Sequence, residues 1–257
     1  SLTMLATIGP SQIYYLAAPE ADPQIVGSIR AAVPRTCAVD VVDYASLDEL
    51  TAKVFDLAQV ARQGSAAIPS TPVVITGKSL GGAAAALAPF VAQGLPYLTI
   101  TDEDSASVVL DRIGAHGLES VVVLGASSNE ALAAFSQQAT DRGLSVTALD
   151  DTRTDEANDA ALHWITHAEH RLAAASGLYL CAQEGIVDAL SVAPLAASDN
   201  GLVLTVNHND MESMVRAIDI IERHPGNLER ITFLGGNMCF NPIDKTIVER
   251  ALANRSA

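Results

Sequence analysis

The chain has 257 residues, with fifteen Lys/Arg against thirty Asp/Glu and a formal net charge of −15. That balance excludes a nucleic-acid-binding protein, because phosphate contacts leave a basic footprint. A composition 49% hydrophobic and 18% charged excludes a disordered chain and supplies core for one large domain or two small ones.

The chain opens on Ser1 without a methionine, a charged leader or a cleavage site, so a processed or trimmed product is expected. In chain order, a strand at 13–18 is followed by a helix at 23–32 and a strand at 38–42. Ser46 and Glu49 form a capping-box pattern that opens a helix at 46–62. Strand 73–76 precedes helix 82–92, strand 97–100 precedes helix 106–114, and strand 120–124 precedes helix 129–142. Strand 145–149 precedes helix 155–174, which Thr154 opens, and strand 178–181 precedes helix 186–197. Strand 202–206 with helix 211–223, then strand 230–234 with helix 242–254, complete the pattern. Strands alternating with helices, and reading as continuous apolar runs, predict an α/β fold with mostly parallel sheets flanked by helices. The most apolar stretch, Ser79 to Ala92, holds Gly81, Gly82 and Pro89 and is too short for a transmembrane span.

Val121–Gly125 matches Ile231–Gly235, Ile13–Ala18 matches Val121–Ala126, and Ala84, Ala88 and Pro89 match Ala189, Ala193 and Pro194. Leu98–Ile100 likewise matches Leu204–Val206, in the same order, so the chain contains an internal repeat. The expected units are 39–143 and 146–257, with 1–38 a partial unit resembling the back half of another.

The segment Val187-Asp188-Ala189-Leu190-Ser191-Val192-Ala193-Pro194-Leu195-Ala196, then Leu202–Thr205, then Ile231–Gly236, resembles the type 2 cell-wall-binding repeat family. The likeness covers 178–254 well, 73–140 more weakly and 11–38 marginally. Val187 stands where the family has proline, and Arg153–Ala157 is what survives of its Arg-Tyr-Glu-Thr-Ala helix start. The resemblance implies tandem Rossmann-like repeat units, commonly three about a pseudo-threefold. It also implies non-covalent attachment of a secreted surface protein to cell-wall polymers of Gram-positive bacteria. The implied partner is a cell-wall polymer, peptidoglycan or an envelope protein, at the cell wall or cell surface, with self-association into a homo-oligomer left open. No cofactor and no metal are expected.

Ligands of open α/β sheets bind beyond the carboxyl ends of the strands, where polar residues cluster. The candidates for ligand binding are Thr76, Gly77, Lys78, Ser79, Asp102, Gly125, Ser127, Gln183, Glu184, Asn207, Gly235, Gly236 and Asn237. The competing reading of these Asp, Ser and Asn residues is helix capping.

Gly77-Lys78-Ser79-Leu80-Gly81 also fits a nucleophile elbow between a strand and a helix. It makes a serine hydrolase the alternative function, with Ser79 as nucleophile, His208 or His224 as base, and Asp150 or Asp151 as the orienting acid. A phosphate-binding loop is excluded, since Pro72 occupies the place of its first glycine. His163, His167 and His170 share one helix face, a spacing open to zinc but more often a solvated face. Cys37, Cys181 and Cys239 lack metal or redox spacing, and a Cys181–Cys239 disulfide is expected if their strands are neighbours.

Overall fold

The computed structural model describes residues 7, 9–63, 72–77, 82–149, 176–182, 186–199, 201–207, 209–223, 228–235 and 239–255. The chain divides into two compact units, 1–63 and 64–257.

In the first unit, β1 (Gln12–Ala17) and β2 (Ala38–Asp43) pair in parallel, with Tyr15 opposite Val41 and Ala17 opposite Asp43. Helices α1 (Gln24–Ala32) and α2 (Leu47–Gln63) follow the two strands. At the start of α2 the Glu49 N–H donates to Ser46 Oγ at 3.2 Å, and the Ala45 N–H donates to Glu49 Oε2 at 2.8 Å. The first bond is the one the capping-box pattern predicts, while the second comes from Ala45, one residue before the Ser46 cap.

The second unit contains two parallel sheets. The first has the order β4-β3-β5-β6, from β3 (Val73–Gly77), β4 (Tyr97–Ile100), β5 (Ser120–Leu124) and β6 (Ser145–Leu149). The second has the order β8-β7-β9, from β7 (Gly177–Ala182), β8 (Gly201–Val206) and β9 (Arg230–Leu234). Their helices are α3 (Gly82–Ala92), α4 (Glu103–Ala115), α5 (Glu130–Asp141), α6 (Ile186–Ser198), α7 (Met211–Arg223) and α8 (Pro242–Arg255). Every residue of β7 and β8 is buried, as expected of parallel strands covered on both faces.

The repeat is visible in this topology. Strand β3 lies between β4 and β5 just as β7 lies between β8 and β9, and α3 and α6 each carry an internal proline, Pro89 and Pro194. Strand β2 bonds to β1 and β6 bonds to β5, so 38–43 and 145–149 each close a sheet.

On β7, Leu178, Leu180 and Ala182 join one core with Met214, Ala217, Ile221 and Val248 of α7 and α8. Tyr179 and Cys181 point the other way, into a core with Ala189, Ala193 and Ala196 of α6 and Ala88 and Ala92 of α3. This alternation corrects the expected disulfide. Strands β7 and β9 are neighbours, but Cys181 lies on the α3–α6 face and Cys239 packs on the α7–α8 face. All three cysteines are free thiols. Burial, with the Asp188 carboxylate nearby, pushes the Cys181 thiol up to about 12, so it is inert at neutral pH.

Helix α4 begins at Glu103, three residues before the apolar pattern predicts, because Asp102 caps it. No described helix is long and apolar enough to cross a membrane.

Candidate functional site

The strand ends of the second unit hold seven of the expected ligand-binding residues within the described chain. Thr76, 5% exposed, and Gly77 end β3, with Gly77 in register with Ile100 of β4. A Cβ on Gly77 would stand 2.8 Å from Asn129 Nδ2, so glycine is what lets the Asn129 side chain lie against the strand end. Asn129 Oδ1 in turn accepts from the Ala131 and Leu132 N–H groups at 3.0 and 3.2 Å, capping α5.

Asp102 Oδ1 accepts from the Ser105 N–H at 2.8 Å, while the Asp102 N–H donates to Ser105 Oγ at 3.3 Å. Gly125 has φ 80°, the left-handed conformation that favours glycine, and its N–H donates to the Leu149 carbonyl at 2.9 Å. Exposed Ser127 follows in a short 3₁₀ turn. Because β3, β4, β5 and β6 are all parallel, Gly77, Asp102, Gly125 and Ser127 lie along one rim of their sheet.

The other sheet shows the same chemistry. Asn207 Oδ1 accepts from the Asn209 N–H at 3.1 Å, and the Asn207 N–H donates to Ser213 Oγ at 3.0 Å. Gly235 has φ 109°, and a Cβ there would meet Cys239 Sγ at 3.0 Å. Capping and turn geometry therefore occupy Asp102, Asn207, Gly125 and Gly235 in the folded chain. Lys78, Ser79, Gln183, Glu184, His208, Gly236 and Asn237 lie outside the described residues. So do the rest of the elbow, Asp150, Asp151, His224 and the three-histidine face. Among the described residues no group of His, Cys, Asp and Glu is arranged to hold a metal ion.

The first unit contains a cavity of about 530 Å³ at the carboxyl ends of β1 and β2. Its floor is the face of the sheet that presents Tyr15, Ala17, Val41 and Asp43. One wall is the connector 18–23. The Ala21 N–H closes a turn onto the Ala18 carbonyl at 2.9 Å, and the Gln24 N–H donates to Asp22 Oδ1 at 2.8 Å. Pro19 and Pro23 restrict two φ angles there, which lowers the cost of ordering that wall around a ligand.

The opposite wall is Tyr44 and Ala45 with Glu49 and Lys53 from α2. Lys53 Nζ pairs with Glu49 Oε1 at 2.8 Å and donates to the Asp43 carbonyl at 2.6 Å. Hydrogen bonds from Lys53 and the Ala45 N–H hold the Glu49 carboxyl below its ordinary range. The strand-end rule, extended to Ala18–Pro23 and Asp43–Lys53, points to this groove. The sequence hid it because 11–38 carries only a marginal family likeness.

No protein-family model and no curated protein matches the chain. Among solved structures, the chain is similar to Cwp6 from Clostridium difficile, at 13% identity and a TM-score of 0.72. The superposition covers 98% of this chain and 37% of that one, so the chain spans well under half of that protein's length. At this identity the likeness is one of fold, a repeated α/β architecture with parallel sheets.

Proposed function

We propose that this chain is an extracytoplasmic cell-envelope binding module, acting at the cell wall or surface rather than as an enzyme. The observation that supports it best is the fold shared with Cwp6 over 98% of the chain. The proposed partner is a wall glycopolymer, peptidoglycan or an envelope protein. It is held along the strand-end rims by Thr76–Ser79, Asp102, Gly125, Ser127, Gln183, Glu184, Asn207 and Gly235–Asn237. The proposed repeat units are 39–143 and 146–257, with 1–38 a partial copy.

The net charge of −15 bears on the partner. An acidic surface repels polyanions, so an anionic wall polymer needs a local cation cluster or a bridging divalent ion. A neutral or cationic envelope component needs neither.

Sedimentation of the full chain with purified cell walls tests the proposal. Co-sedimentation is expected, and failure to sediment with any wall fraction overturns it. Hydrolysis of short acyl esters that disappears in Ser79→Ala would replace it with the hydrolase.

A further inference from the structure

We propose that the groove at the carboxyl ends of β1 and β2 binds a primary ammonium group carried on a hydroxylated envelope component, such as an amino sugar or an aminoacyl ester. The proposal rests on the envelope reading for its carrier only. The ammonium chemistry follows from the groove itself.

The charge sets the sign of the ligand. Asp22, Asp43 and Glu49 line the groove with Lys53 as the one cationic side chain among its lining residues. Lys53 is already held by Glu49 and by the Asp43 carbonyl, so an incoming anion would meet excess carboxylate and an engaged ammonium. The Asp43 carboxylate has no hydrogen-bond partner among the described residues and belongs to the groove lining, available to a cationic donor.

The spacing of the carboxylates sets the type of cation. They line one cavity, yet they are not grouped to hold a metal ion. A cavity of about 530 Å³ falls within the range of small-molecule sites and suits an organic cation of monosaccharide size. Tyr15 and Tyr44 add what an organic ammonium uses: aromatic surface for a cation and for sugar C–H groups, and hydroxyls for polar partners. The proline-bearing connector limits the ordering cost of binding.

The full chain is titrated at low salt with a glucosamine tetramer, its fully N-acetylated counterpart and D-alanine methyl ester, with binding followed by calorimetry and amide NMR shifts. At least one free-amine probe is expected to bind, and the N-acetylated tetramer to bind at least about tenfold more weakly, the size of one lost charge-assisted hydrogen bond. Which free-amine probe binds identifies the source, amino sugar or aminoacyl ester. Asp43→Asn and Tyr44→Leu, each checked for an unchanged circular dichroism spectrum, are expected to weaken binding by a similar factor.

The proposal is overturned if neither amine binds, if the acetylated tetramer binds equally well, or if both variants keep full affinity. Amine binding without wall sedimentation would sink the envelope reading and leave this site standing. The reverse result would sink this site alone.

Discussion

Gly201 has no side chain because Tyr179 occupies the space one would fill. A Cβ there would lie 2.9 Å from Tyr179 Cε2 and 3.3 Å from the Gly177 carbonyl oxygen. The ring is held in turn by a polar cluster. Tyr179 Oη donates to Asp199 Oδ2 at 2.5 Å, Arg230 Nη2 donates to the same oxygen at 2.7 Å, and the guanidinium lies 5.8 Å from the ring centre. The hydrogen bond from Tyr179 and then that from Arg230 hold the Asp199 carboxyl below its ordinary value. A depressed folded pKa gives stability that is present above the unfolded value, about 3.9, and lost as pH falls through the folded one. Thermal unfolding followed from about pH 6 to pH 2.5 should therefore show an acid loss that is shallower in Asp199→Asn. Equal acid slopes in the two proteins would sink this account.

At the scale of elements, capping sets where helices begin. The apolar spacing placed the start of α4 at 106 and the structure starts it at Glu103, because Asp102 and Ser105 exchange hydrogen bonds across the first turn. Asn241 does the same for α8: its Oδ1 accepts from the Asp244 N–H at 3.0 Å, and Asp244 Oδ2 accepts from the Asn241 N–H at 3.0 Å. Asp102→Ala should cost about 1 kcal/mol in urea unfolding, the usual loss for an N-cap, with unchanged far-ultraviolet dichroism. If wall sedimentation also fell in this variant while stability did not, Asp102 would be a ligand contact rather than a cap. The ends of the strands were legible because they coincide with ends of apolar runs. The choice between capping and binding was not, since the same Asp and Asn side chains serve both.

At the scale of the molecule, the two sheets of the second unit are joined through α3 and α6. Ala88, Ala189, Ala193 and Ala196 are wholly buried where the helices meet, and Gln93 Nε2 donates to the Gly201 carbonyl at 3.3 Å. Small residues let the two helix backbones approach, so added bulk has nowhere to go. Ala193→Leu should destabilise the unit by about 1–3 kcal/mol in denaturant unfolding. A variant as stable as the parent would show that the contact can give way. The repeated Ala-Pro pair of these helices was visible in the sequence as family-like matches at 84–89 and 189–194. That the two copies face one another was not.

The sequence by itself determined the α/β alternation, the parallel strands, the repeat and, among the described residues, nearly every element boundary; the expected helix 155–174 lies outside them. These depend on local apolar periodicity and on capping residues close to the helix they serve. Tertiary structure alone decided which strands share a sheet. It also decided that Cys181 and Cys239 face opposite sides of one, and that the ends of β1 and β2 enclose a groove. Each of these depends on which residues distant in the chain are brought together, and on which face of a strand a side chain leaves. A one-residue step along a strand reverses that face. Tyr15, Asp43 and Lys53 carry no shared motif, and only the pairing of β1 with β2 and the placing of α2 beside them make one site of them.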